Sequence, residues 1–296
     1  MHRWILAAAA AAAHFACVGG RQGKPNFSFE TLWSLESNFW RQFLYPNNLQ
    51  QINATADSVF AEDVRGRIDI TRTFNGRELN NEYIFGLFAQ PESLSFTGVP
   101  IAYNITQFAA NQNIASATTV ITFNVTAFGV FLPLTIDSWI SFNADGKISQ
   151  YDASFRWFDF FLDAVIAAAA KKLHSTNMTE VQAIIATKVA EEICKTSETY
   201  CLEGKREHYG SRKECMNLLK EIRFGRPFEL GMNTLLCREV HKHMVQYRPD
   251  EHCSHIARSG GAFCVDDLTY KGVVTQRYFK DSWVPYGFAE NNIWIA

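Results

Sequence analysis

The sequence predicts an α+β fold, with helices packed on a curved antiparallel sheet and a mainly helical, disulfide-stapled module after it. Three observations carry this. Four strand-like runs, residues 94–108, 114–127, 130–142 and 148–157, follow one another and are rich in Thr, Ile, Val and aromatic residues. Apolar residues at helical spacing precede these runs and return after them. Six of the seven cysteines stand at or after position 194.

Composition sets the limits. A chain of 296 residues, 47% hydrophobic and 14% aromatic, has ample material for a buried core. A formal charge of -2 gives no basic field for a phosphate backbone, which argues against nucleic acid as a partner. Residues 1–20 have a short basic start, an apolar run from Trp4 to Val18 and small residues after it, the layout of a secretory signal peptide cleaved after Gly19 or Gly20. That run is too short to anchor the chain in a bilayer, which takes about 20 residues. A bacterial lipobox at Cys17 would need an aliphatic residue where His14 stands. A second apolar run, 158–170, is broken by Asp159 and Asp163 and reads as a buried helix. The expectation is a secreted, extracellular protein without a membrane span.

The elements follow in order. Over 28–44, Leu32, Trp33, Leu35, Phe39, Trp40 and Phe43 mark an amphipathic helix with Ser28 as its cap and Pro46 as its stop. A weaker helix is expected over 49–60, then a strand over 65–73, a reversal at Asn75-Gly76, and a helix over 79–89. The four strands come next. An alanine-rich helix follows to Leu173, and 174–178 is the expected boundary between a domain over 27–165 and a helical cysteine-rich module over 166–296. In that module helices are expected over 179–194, opened by a Thr179 and Gln182 capping box, over 214–222, and over 234–247 with Pro249 as terminator. Glycines and aromatics in the tail, among them Gly260, Gly261, Gly272 and Gly287, indicate irregular structure.

The stretch 134–157 is the hub. With Ala144-Asp145-Gly146 as a hairpin tip, Phe142 pairs with Ile148, Ile140 with Gln150, Trp139 with Tyr151 and Ser138 with Asp152. Alternation then puts Ile136, Ser138, Ile140, Gln150 and Asp152 on one face, and Asp137, Trp139, Tyr151, Phe155 and Trp157 on the other. Both faces mix bulky apolar groups with a few polar ones, which suits a sheet curled around a pocket.

Residues 60–64 (Phe-Ala-Glu-Asp-Val), the Asn75-Gly76 reversal, and 142–148 leading to Tyr151-Asp152 resemble the cone-shaped fold shared by ketosteroid isomerases, SnoaL-type polyketide cyclases, scytalone dehydratases and nuclear transport factor two. The resemblance covers residues 27–163, about half the chain. It implies a hydrophobic pocket, no cofactor, and, in the enzymes of the group, a desolvated carboxylate as acid or base with a Tyr hydroxyl steadying an enolate-like oxygen. The candidates are Asp152 with Ser138 and Gln150, or Asp137 with Trp139 and Tyr151, while Tyr45, Trp139 and Phe155 are pocket candidates. Asp152 is preferred because it sits further from the exposed tip than the other polar groups of its strand and faces Ile136 and Ile140. The alternative is that both carboxylates are solvated or ion-paired, for example with Arg156.

In an oxidising compartment Cys194, Cys201, Cys215, Cys237, Cys253 and Cys264 make three disulfides of undecided connectivity. Asn26, Asn53, Asn104, Asn124 and Asn177 each open an N-glycosylation sequon. His241, His243, His252 and His255 invite a metal reading, but on a helix His241 and His243 point about 200° apart, which leaves His241, His252 and His255 as a three-ligand set. Structural histidines are the alternative. A Cys237 and His241 nucleophile pair is disfavoured by the even cysteine count. The pattern from Leu236 to Cys264 resembles a motif of secreted fungal proteins of unknown function. Three functions follow: a non-catalytic binding or interaction protein whose pocket is filled by its own side chains or holds a ligand passively; a cofactor-independent isomerase, dehydratase or cyclase of a small apolar metabolite; and metal binding by the histidine cluster. Sheet pairing into a homodimer is expected unless a glycan at Asn124 blocks it.

Overall fold

A computed structural model describes residues 25–204 and 206–285. The expected signal peptide, with Cys17 and His14, lies outside the described residues, as does Gly287. Helix α1 (Phe29–Phe43) starts where the Ser28 hydroxyl accepts from the Thr31 amide at 3.1 Å. Its buried stripe is Leu32, Glu36, Phe39, Trp40 and Phe43. The second helix is a single turn, α2 (Asn48–Gln51). The expected extension to residue 60 fails because the Gln51 side chain accepts from the Val59 amide and hands the chain to a strand.

Strands β1 (Phe60–Ile68), β2 (Thr73–Asn75), β3 (Val99–Asn111), β4 (Ile114–Val125), β5 (Val130–Phe142) and β6 (Ile148–Arg156) form one sheet in the order β2-β1-β6-β5-β4-β3. The sheet is mixed, not wholly antiparallel. After β2 and helix α3 (Arg77–Ile84) the chain crosses to the far edge, and three antiparallel turns bring β6 back beside β1, running parallel to it.

The hairpin register differs from the simple alternation. Phe142 pairs with Ile148, but Ser141 pairs with Gln150 and Ile140 with Tyr151, so Ser149 is an extra residue in β6. Past this bulge the faces exchange: Tyr151, Ala153 and Phe155 join Ile136, Ser138 and Ile140 inside, whereas Asp152 joins Asp137 and Trp139 outside. Gly66, paired with Tyr151, makes room for it, since a Cβ there would stand 2.2 Å from the phenol ring.

Helices α1 and α3 pack on the sheet, and α4 (Phe158–Lys172) leads into α5 (Met178–Tyr200). The cap of α5 is Asn177, which accepts from the Glu180 amide, rather than Thr179. Helices α6 (Arg212–Glu221), α7 (Leu235–Lys242), α8 (Pro249–Ile256) and α9 (Tyr270–Val274) complete the module. Pro249 does not terminate a helix; it opens α8 at the first position, where a missing amide proton costs nothing. Disulfides Cys194–Cys215, Cys201–Cys253 and Cys237–Cys264 tie α5 to α6, the end of α5 to α8, and α7 to the loop after α8. None of the described helices is long and apolar enough to cross a membrane. One hydrophobic core runs from the inner face of the sheet into the module.

The described chain finishes as a strap over the outer face of the sheet. The Tyr278 hydroxyl donates to the Phe74 carbonyl at 2.8 Å, the Arg67 guanidinium lies 4.9 Å from the Phe279 ring centre, and Gln150 exchanges hydrogen bonds with the Asp281 backbone at 3.0 and 3.2 Å. Trp283 then meets Trp139 edge-on at 6.3 Å.

Candidate functional site

Between the inner sheet face and its covering helices lies an apolar cavity of about 80 Å³. Ile136, Ser138, Ile140, Tyr151, Ala153 and Phe155 form its sheet wall, Phe39, Trp40 and Phe43 of α1 another, and Leu230, Leu236 and Val240 of the module close it. Its volume admits the end of a larger molecule, and its apolar lining offers water few partners.

Two buried polar groups lack a full set of partners here: Tyr151 belongs to the wall, and Glu36 stands behind the wall residues Trp40 and Ser138. Glu36 is fully buried; its Oε1 accepts from the Trp40 indole at 2.9 Å and from the Ser138 hydroxyl at 3.2 Å, while Oε2 has no partner. Desolvation pushes its carboxyl up to about 7, against the smaller opposing effect of those two hydrogen bonds. The Tyr151 hydroxyl is buried and also unpartnered, and burial holds it well above the ordinary phenol range. Sequence reasoning passed over Glu36. The signal was present, because Glu36 stands four residues after Leu32 and four before Trp40, inside the apolar stripe of α1.

The expected carboxylates lie elsewhere. Asp152 pairs with Arg67 and Asp137 with Arg156, the latter at 2.8 Å, both on the outer face. For Asp152 the bulge is the reason; Asp137, on β5, alternates with the inward Ile136 and Ser138 and faces outward without it. Trp139 is 48% exposed beside Trp283, and Tyr45 is not part of the cavity wall; Phe155 is.

His241, His252 and His255 do gather, with ring centres 4.8 to 6.3 Å apart, and they are buried. Their nitrogens serve the protein. His241 Nδ1 is 2.8 Å from the Cys237 carbonyl, which only accepts, so Nδ1 carries the proton and Nε2 takes the hydrogen bond of the Tyr83 hydroxyl. His252 Nε2 donates to Glu82 at 2.6 Å, and its Nδ1 meets His255 Nδ1 at 3.2 Å. Among the described residues the one metal-like grouping is Cys237, His241 and Cys264, whose two sulfurs are joined to each other. With Arg248 bound to Glu82 at 2.6 Å, this cluster fastens α7 and α8 to α3. Nearby, Glu239 reaches the cavity wall and bonds His243 at 3.1 Å, and Lys242 bonds His243 at 2.8 Å.

The described residues thus form a curved α+β sheet closed by helices over an apolar cavity, with a buried phenol on its wall and a buried carboxyl behind it. The chain belongs to the BfoA family: the BfoA N-terminal domain matches residues 37–153 and the BfoA family C-terminal domain residues 157–267. The Aurasperone B biosynthesis cluster protein A of Aspergillus niger is 49% identical over 297 residues, covering 99% of this chain and 97% of the relative. The Bifonsecin B biosynthesis cluster protein A of Aspergillus brasiliensis is 48% identical over 298 residues, covering all of both. Solved structures similar to part of the chain include a hypothetical protein with a ketosteroid isomerase-like fold from Catenulispora acidiphila, at 12% identity and TM-score 0.35 over 45% of this chain and 90% of that one. An NTF-2 like protein of unknown function from Burkholderia xenovorans gives 13% identity and TM-score 0.31 over 43% and 83%.

The buried titratable groups oppose one another with pH. Desolvation holds His241 well below its ordinary value and His255 down at about 3, so the unfolded chain takes up protons that the fold refuses as pH falls below about 6.5. Stability is lost on that side by up to about 1.4 kcal/mol per pH unit for each histidine. Glu36 acts the other way, since the fold keeps its proton above 4.5 and stability is lost as pH rises from there to about 7. Glu36→Gln removes only the second effect. In denaturant titrations its stability relative to wild type should rise from about pH 4.5 to 7, by roughly 3 kcal/mol at most, and stay level above. A difference that does not vary with pH would contradict the raised carboxyl.

Proposed function

We propose that this chain binds a small, mainly apolar molecule in a biosynthetic pathway, as the names of its relatives suggest for them, and that the molecule presents one hydrogen-bonding group to Tyr151. The observation that supports it is the buried, unpartnered Tyr151 hydroxyl on an apolar cavity wall, because leaving such a group unpaired costs about 1–3 kcal/mol unless a ligand satisfies it. Phenol and toluene, matched in shape, test this by calorimetry. Phenol should bind at least about tenfold more tightly, and Tyr151→Phe should erase the preference. Equal affinity of the two rings for wild type would overturn the proposal.

A second reading rests on Glu36, whose carboxyl titrates near neutral pH beside Ser138. There it would act as acid or base toward an enolisable ligand, with the Tyr151 hydroxyl donating to the oxygen that gains charge. Cyclohexanone in heavy water should then exchange its α-protons faster with wild type than with Glu36→Gln, with the gain appearing as pH rises through about 7. Equal rates would remove the catalytic reading and leave the binding one.

Secretion is part of the proposal, supported by the leader-like residues 1–20 and the three disulfides. Four of the sequon asparagines, Asn26, Asn53, Asn104 and Asn177, are exposed and open to glycosylation. Expressed in a fungal host, the chain should be recovered from the medium, and a purely cytosolic pool would refute this.

A further inference from the structure

We infer that a groove beside the cavity is the outer half of the same ligand site, and that it takes a neutral, flat, predominantly apolar molecule larger than the cavity alone admits. This rests on the binding reading above. The groove, about 470 Å³, lies between the β1–β2 turn and a wall made by Phe228, Met232 and α9. That volume falls within the ~300–1,000 Å³ of small-molecule sites, whereas the cavity does not. Ile68 and Thr71 line both spaces, so the two side chains form a common wall between them.

The character of the groove indicates its occupant. Tyr270 is 86% and Phe228 58% exposed, and neither ring stacks on another described aromatic side chain. Exposed rings beside a recess of this size fit a flat apolar surface laid against them. Both cations at the groove are already neutralised, Arg67 by Asp152 and Arg72 by Asp267, and its further carboxylate, Asp69, accepts from the Phe155 amide at 3.2 Å, so no cation is free there to hold an anion, which argues for an uncharged ligand. The groove is also preformed. Arg72 donates to the carbonyls of Gly231 at 2.7 Å, Phe263 at 2.8 Å and Val265 at 2.8 Å, which fixes the outer wall against the sheet. A Cβ at Gly231 would come within 2.6 Å of the Thr71 carbonyl, so wall and floor are in close contact there.

Prodan, a neutral flat naphthalene dye, is the probe, read by methyl NMR of the full chain. Met232, Leu268 and Val273 report on the groove; Ile136, Ile140 and Val240 report on the cavity. Both sets should shift along one saturation curve, and the double variant Phe228→Ser, Tyr270→Ser should weaken binding roughly tenfold or more. The two residues are exposed, and an unchanged cavity spectrum of the free variant confirms that the fold survives. Cavity shifts alone, with the double variant unaffected, overturn the groove and leave the binding function standing. Groove shifts alone overturn the single continuous site and count against the cavity as the binding place. No shift in either set at millimolar dye overturns both.

Discussion

One extra residue in β6 decides what this protein presents to its interior. Without Ser149 as a bulge, the strand would carry Asp152 inward and Tyr151 outward, placing a carboxylate against Ile136 and Ile140. With it, the phenol enters the core and the carboxylate leaves to meet Arg67. The rest is arranged to suit: β1 carries a glycine where the Tyr151 ring arrives, and the strap between Tyr278 and Trp283 covers the outer residues that the bulge turned away. A bulge re-aims side chains at the cost of one broken ladder position, and here the re-aimed Tyr151 hydroxyl is buried without a partner.

The two parts of the chain are joined by buried polar contacts as much as by apolar ones. Glu82 and Tyr83, adjacent on α3, receive His252 and His241 from the module, and Arg248 completes the charge around Glu82. Removing one partner from such a group strands a buried charge, so the arrangement selects a single docking geometry more than it adds net stability. Arg238 does similar work inside the module. Fully buried and without a carboxylate, it donates to the Ala257 carbonyl at 3.2 Å and the Asn233 side chain at 2.9 Å, fixing the end of α8.

Much of the framework could be read directly from residue patterns. Helix α1, the four long strands and the cysteine-rich module follow from periodicity and count, because each is dictated locally. The bulge could not be read, since Ser149 differs from its neighbours in no property that alternation measures. Nor could the parallel pairing of β6 with β1, which is set by where a long connection lands. At the site, simple alternation grouped Phe155 and Tyr151 with Trp139, whereas the bulge sets them on the face opposite it, and Glu36 was hidden by reading α1 for its apolar members only. His241, His252 and His255 lie together, and their roles depend on partners from α3, a segment about 170 positions earlier in the chain.

The cavity is closed by residues that a disulfide holds in place. Leu236 and Val240 flank Cys237 on α7, and Cys237 is bonded to Cys264 beyond α8. The wall facing the sheet therefore takes its final form only once that bond has formed. Reducing that bond would release α7 from the loop after α8, a constraint that bears on the lid and not on the sheet wall that carries Tyr151. The two walls of the cavity thus differ in what holds them: hydrogen-bonded strands on one side, a covalent cross-link on the other.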